Sequence, residues 1–271
     1  MSAATTHEAA TRIRERSRWQ RFGYLMDVAA HLVRVELATR HRGSALGWLW
    51  SLGPPLLQLL ATYFVFTRVI PLDVENYPVF LLVGILAWTV FARSLGDGTS
   101  SLEQRRELVL RPGFATELLP ISAVLVAFVD YLLALPVLVV ALAVTTGVHW
   151  TWVLLPPVLA IQIALCAGLS LLLAPLQVYL RDVRQVVGIL VAVGFWITPV
   201  FYRRAQVPES IAWLYDVNPM AHVLEAQRQI LIGGSVPAAR PLIAVALSSL
   251  AVLAAGYAVF VRLRDSIPEQ L

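Results

Sequence analysis

The stretch "ALCAGLSLLLAPLQVYLRDVRQVVGILVAVGFWITPVF", Ala164–Phe201, is hydrocarbon at both ends and charged in the middle. Gln177–Gln185 holds Arg181, Asp182 and Arg184, while Ala164–Leu176 and Val186–Phe201 carry no charged residue. A helix of about 20 such apolar residues crosses the hydrocarbon core of a bilayer. The charged centre therefore reads as a tight turn or one short helix between two spans, held at a membrane face.

Working outward, the whole chain shares this character. Of its 271 residues, 58% are hydrophobic and 14% charged, against roughly 45–50% and about 25% in soluble proteins. The reading is an all-α integral membrane protein with six transmembrane helices, at Leu46–Val69, Tyr77–Leu95, Leu118–Thr146, Trp152–Leu176, Val186–Tyr202 and Pro241–Val261. Long unbroken apolar runs exclude the alternating pattern of barrel strands. The fifth run is short and contains Pro199, so it reads as tilted or broken. Residues 1–45 form an N-terminal segment, 46–262 the spanning domain and 263–271 a short tail.

Arginine placement sets the orientation. The net charge is +4, there is no lysine, and all 21 basic residues are arginine. Eight precede the first span; Arg105, Arg106 and Arg111 follow the second, Arg181 and Arg184 the fourth, and Arg262 and Arg264 lie in the tail. The loops "PLDVEN" and "GVHW" have none, so both termini are expected in the cytoplasm. This distribution explains the basic charge without nucleic acid, since no charge-dense domain stands outside the spans. The N-terminus is basic with no apolar signal core, which leaves the first span as the insertion signal.

Two further segments are amphipathic. "WQRFGYLMDVAAHLVRVELAT", Trp19–Thr39, is too polar to span and reads as a helix on the cytoplasmic membrane face or against a partner protein. Arg203–Arg240 carries four arginines on the side that should be poor in them, so it is more than a connector. Within it, Asn218–Pro219 breaks "ESIAWLYDVNPMAHVLEAQRQILIGG" into two helical pieces. These fit re-entrant helices between spans five and six, or an extracellular helical hairpin. Asn218, Pro219, Glu225 and Arg228 are the candidates there for an outer gate.

Catalytic signatures are sparse. Without lysine the chain cannot build an ordinary phosphate-binding P-loop, so it is read as no enzyme, and ATP must be hydrolysed elsewhere. Cys166 is single and apolar in setting, and no Cys/His cluster has zinc spacing. His149 and His222 are isolated, and Asp73 with Glu75 reads as a solvated acidic loop. Asp130, inside the third span, serves either a proton relay or a hydrogen bond to a neighbouring helix. Trp50, Trp88, Phe91, Phe195, Trp196 and Tyr202 lie on spans one, two and five. Aromatic residues near span ends form interfacial belts; deeper ones can stack on sugar rings and line a conduit.

Four stretches, read together, resemble the membrane subunit of bacterial polysaccharide ABC exporters, the O-antigen and teichoic-acid permease family. They are "ATRHRGSALGWLWSLGPPL" (Ala38–Leu56), "SSLEQRRELVLRPGFATELLPISAVL" (Ser100–Leu125), "QVYLRDV" (Gln177–Val183), and "TPVFY" with "NPMAHVLEAQRQILIGG". His41 stands where the family favours tyrosine, Ala115 where it favours proline, and Leu180 where it favours phenylalanine. The likeness covers roughly Glu36–Gly234. It implies a homodimer forming a channel in the bacterial inner membrane, paired with two copies of a separate ATPase subunit. That partner would bind the ATP and magnesium, the permease itself holding no cofactor or metal, and the cargo would be a polysaccharide linked to a lipid pyrophosphate. Arg105, Arg106, Arg111, Phe114, Glu117, Tyr179, Arg181 and Asp182 are then expected to receive force from the ATPase. Arg40 and Arg42 lie where a pyrophosphate head group would reach the inner leaflet, with a positive-inside anchor as the other reading. An exporter of drugs or small lipids, and a non-transporting scaffold, are the rival functions.

Overall fold

The computed structural model describes residues 18–40, 52–70 and 74–271, with side chains from Gly23 onward. Arg42, Trp50, His41, Asp73 and the start of the first expected span lie outside the described residues. The described residues are helical, with no strand among them.

Helix α1, Arg18–Arg40, lies against the bundle through Leu25, Val28, Ala29 and Leu32. These positions repeat at helical spacing and form one stripe. Tyr24 and Met26 are exposed outside it, and Val35 is exposed at its end, so the apolar residues of the helix are not all buried on one face. Helix α2, Gly53–Phe64, starts with prolines in its first turn, where no intrahelical N–H is needed. It runs on as a wider π turn, Val65–Val69.

Helix α3, Tyr77–Gln104, continues nine residues beyond the expected end at Leu95. The extension is rich in Gly, Ser and Thr, which ordinarily disfavour helix. Here their hydroxyls bond back to the same helix: Thr99 Oγ1 donates to the Leu95 carbonyl at 2.6 Å and Ser101 Oγ to that of Gly98 at 2.7 Å. Helix α4, Leu118–Thr145, falls where the apolar run places it. Helix α5, Leu155–Tyr179, follows a tight turn at Trp150–Leu154.

Helix α6, Val183–Ile197, has 15 residues, five fewer at its end than the expected fifth span. At 1.5 Å per residue it is roughly 22 Å long, short of the ~30 Å core. It stops at Thr198 because Pro199 disfavours helix in the residue before it. Helix α7, Pro219–Leu231, begins where the Asn218–Pro219 break was expected. Helix α8, Ala239–Leu263, is followed by a last turn, Ile267–Gln270.

Among the described residues, four helices with their flanking turns are long and apolar enough to cross a membrane: Tyr77–Gln104, Leu118–Thr145, Trp150–Tyr179 and Ala239–Gln270. Helix α3 is the centre, 72% of its apolar window being buried, and α8 is peripheral at 17%. Between α5 and α8 the backbones meet where Gly168 faces Gly256. The core continues through Val223, Leu224 and Ile230 of α7, so α7 is buried in the bundle rather than laid over it.

Candidate functional site

Helices α2, α3 and α6 enclose a cleft of about 620 Å³. Trp88 and Ala92 come from one face of α3, Phe195 and Trp196 from α6, and Phe66 from the end of α2. The expected aromatics meet here as a chain of rings. Trp88 lies 5.2 Å from Phe91 and 6.2 Å from Phe195, and Phe195 lies 5.5 Å from Trp196. Phe201 then bridges Trp196 at 5.2 Å and Tyr202 at 5.0 Å. Edge-on and offset ring pairs of this kind add about 0.5–1.5 kcal/mol each beyond burial. Trp88 and Phe195 are buried, while Trp196 is 60% exposed and free to meet a ligand. Gln58, Thr62, Thr89 and Arg93 supply the cleft's polar side.

Behind that wall lies a group of charges. Asp130, 6% exposed, accepts from Arg93 at 2.8 Å and from Arg40 at 3.0 Å, both on Oδ2, and Arg40 also reaches Asp97 at 3.1 Å. Asp130 thus ties α4 to α1 and α3, which fits the interhelical hydrogen bond of its two readings. Arg40 is held by two carboxylates, Asp97 and Asp130, and its side chain remains 26% exposed. Arg93 and Asp97 were not singled out above. An arginine inside an apolar span is costly and therefore informative, and that signal in "AWTVFARSLGD" was available.

The end of the bundle formed by Trp150–Leu154 and Arg203–Ser235 is closed by polar anchors. Arg228 is 5% exposed; its Nη1 donates to the Pro199 carbonyl at 2.6 Å and Nη2 to that of Val200 at 2.5 Å. The guanidinium also lies 3.5 Å from the centre of the Phe80 ring. Asn218 caps α7 by accepting from the Met220 N–H at 3.0 Å and donates to Thr198 Oγ1 at 2.8 Å. Pro219 is in the first turn of α7, and Glu225 accepts from Gln229 at 3.0 Å. Burial, reinforced by the Glu225 carboxylate, pushes the Tyr215 phenol up, and Arg204 covers its ring at 4.7 Å. Of the four candidate gate residues, Asn218 and Arg228 both join α7 to the segment that leaves α6.

At the opposite end the expected coupling residues divide. Arg106, Arg111, Arg181 and Asp182 are exposed, and no ion pair joins Arg181 to Asp182. Arg105 instead pairs with Glu36 of α1. Phe114 is half-buried, Glu117 stands 4.0 Å from Arg264, and the Tyr179 hydroxyl bonds Ser266 Oγ at 2.5 Å. Residues 109–117 and the tail residues Arg264, Asp265 and Pro268 enclose a groove of about 450 Å³.

Gln177 organises this end, and nothing in its local pattern announced it. Its amide nitrogen donates to Glu103 at 3.2 Å and to the Arg181 carbonyl at 3.2 Å, while its oxygen accepts the Arg184 N–H at 2.7 Å. One buried side chain therefore shapes the turn at Leu180–Asp182 and fastens it to the end of α3. Gln177→Leu should lower stability by about 2 kcal/mol, from lost hydrogen bonds and a stranded turn N–H, read as a lower thermal midpoint in detergent.

The ABC-2 type transporter family profile matches residues 29–232. An O-antigen export system permease protein RfbA of Myxococcus xanthus is 34% identical over 89% of this chain and 94% of its own length. One of Klebsiella pneumoniae is 30% identical over 79% of this chain and 83% of its own length. The polysialic acid transport protein KpsM of Escherichia coli is 24% identical over 83% of this chain and 89% of its own length. The matched span contains the aromatic cleft, the Asp130 ion pairs, the Gln177 turn and the Arg228 anchor together. The chain belongs to the ABC-2 type transporter family of membrane proteins.

Proposed function

We propose that this chain is the channel-forming permease subunit of an ATP-driven polysaccharide exporter. The cleft between α2, α3 and α6 carries the reading: ring faces beside polar groups suit a sugar chain, whose apolar ring faces and hydroxyls alternate. The relatives, O-antigen export permeases and a polysialic acid transport protein by name, support the same cargo class. A drug or small apolar lipid has no need of Gln58, Thr62, Thr89 and Arg93 together.

In this reading α2 and α6 complete a set of six spans, and the buried α7 is re-entrant, entering and leaving on one side. Two copies face each other across the exposed apolar sides of α2 and α6, where Leu57, Leu60, Ile189 and Leu190 stand out. The arginine distribution favours both termini in the cytoplasm of a bacterial inner-membrane protein. The end carrying Gln177, Arg111 and the tail then meets two copies of an ATPase subunit, which supply the ATP and magnesium sites. The cargo is a glycan carried on a lipid pyrophosphate.

ATP-driven closure of the partner reaches the spans through Arg106, Arg111, Tyr179, Arg181 and Asp182. Arg181 is exposed beside a turn held rigid by Gln177, which suits a contact that must transmit load. Arg181→Ala removes charge-assisted bonds of about 1.5–3 kcal/mol. Transport per ATP hydrolysed should fall about tenfold while hydrolysis continues; an unchanged ratio would reduce Arg181 to a membrane-topology charge. In cells, depletion of the chain should leave lipid-linked glycan accumulated inside, and its absence there would count against the export reading.

A further inference from the structure

Among the described residues Arg93 is the one arginine lining the cleft, and most of its donors have no partner there. A guanidinium has five N–H donors. Among the described residues Arg93 meets a single carboxylate oxygen, through Nη1 at 2.8 Å, and its side chain is 29% exposed. Arg40, by contrast, is shared between Asp97 and Asp130. The charge of Asp130 is therefore held from a second side, and Arg93 can engage a ligand without abandoning that carboxylate.

Three uncharged polar side chains share the largely apolar cleft with Arg93. Thr89 sits one helical turn before it on α3, and Gln58 and Thr62 form the equivalent pair on α2, all four lining the same cleft. The side chains of Gln58, Thr62 and Thr89 have no hydrogen-bond partner among the described residues. Hydroxyls of a neutral sugar would satisfy these three. A fork of open guanidinium donors in a low-dielectric span has a narrower match, the adjacent oxygens of a phosphate. An ionisable group kept within a spanning helix is also where membrane proteins place ligand contacts.

We propose that Arg93 binds a phosphate group of the cargo, borne by its lipid carrier or by the glycan itself, at the α3 wall of the cleft. This rests on the exporter reading for the identity of the cargo and on the cleft geometry for the anion. It sets beside the expected head-group contact at Arg40 the neighbouring arginine on the same carboxylate.

The test uses the permease–ATPase complex in nanodiscs, titrated with polyprenyl pyrophosphate, with polyprenol of equal length and with a water-soluble phosphorylated oligosaccharide. Tryptophan emission reports binding beside Trp88 and Trp196. At least one phosphate probe should bind about tenfold or more tightly than its uncharged counterpart, the scale of one charged hydrogen bond. Arg93→Gln should abolish that preference and leave polyprenol binding unchanged. Arg93→Lys, which retains the charge beside Asp130, should keep part of it and covers the case in which the glutamine variant fails to fold. Arg93-dependent binding of the lipid probe assigns the phosphate to the carrier, and of the soluble probe to the glycan. Phosphate preference absent from the wild type, or untouched by either substitution, overturns the proposal. Glycan flux without phosphate preference would do so while leaving the exporter reading intact. Phosphate preference without glycan flux would keep Arg93 as an anion site and remove the exporter reading.

Discussion

Gly256→Leu should abolish accumulation of the folded chain. A Cβ at Gly256 would run into the Gly168 carbonyl oxygen and lie about 3.3 Å from the Gly168 Cα, and one at Gly168 would meet the Leu253 backbone nitrogen at 2.5 Å. Both obstacles are backbone, so no rotamer change relieves them. The crossing of α5 and α8 must open, and it is the main attachment of α8, whose own apolar window is only 17% buried. Overpacking of ordinary cores costs about 1–3 kcal/mol; a backbone collision that separates two helices should exceed it, at about 4 kcal/mol or more. Membrane-fraction yield and thermal midpoint check this, with Gly188→Ala as a comparison because a Cβ there meets nothing within 4 Å. Equal yields for the two variants would refute the close crossing.

Arg228→Met should destabilise the α7 end by about 3–6 kcal/mol, since two charge-assisted hydrogen bonds of about 1.5–3 kcal/mol each are lost. The substitution leaves the carbonyls of Pro199 and Val200 without their guanidinium in a buried site, and removes the cation from the Phe80 ring. Gly84 is part of the same arrangement, because a Cβ there would stand 2.7 Å from Arg228 Nη2. Arg228→Lys should recover only part of the loss, as one ammonium cannot reproduce a planar fork. Hydrogen exchange at residues 200–202 and the thermal midpoint report it. Faster exchange confined to that segment would mark Arg228 as the hinge pin of a gate, and no change would remove it from the gate altogether.

What the sequence disclosed follows from where its signal is one-dimensional. Helix α4 was legible to within one residue because a continuous apolar run needs nothing from elsewhere in the chain. The break before α7 was legible because a proline acts on its immediate neighbour. The far end of α3 was not: Gly, Ser and Thr read as loop, and their helix is packed against α5, where Gly98 meets Ser170 and Ser170 Oγ donates to the Ser94 carbonyl. Residues of the aromatic cleft could be named, but the sequence had no means to order them as touching rings. Arg40 and Asp130 were each noticed separately. Arg93 was visible as a charge inside an apolar run, but its meeting with Arg40 on one Asp130 oxygen belongs to the packing of α1, α3 and α4, which no local pattern encodes. Gln177 escaped notice for the same reason, its three attachments being conferred by the fold.

The exporter account is tested most directly by transport in a defined membrane. The chain, reconstituted in liposomes with the ATPase encoded beside it, should move a lipid-linked glycan across the bilayer when ATP and magnesium are supplied. Replacing Trp196 by alanine should slow that movement about tenfold, the effect of losing roughly 1.4 kcal/mol of contact with the passing glycan, with little change in ATP hydrolysis. Glycan that crosses equally without ATP, or never crosses while hydrolysis proceeds normally, would contradict the account.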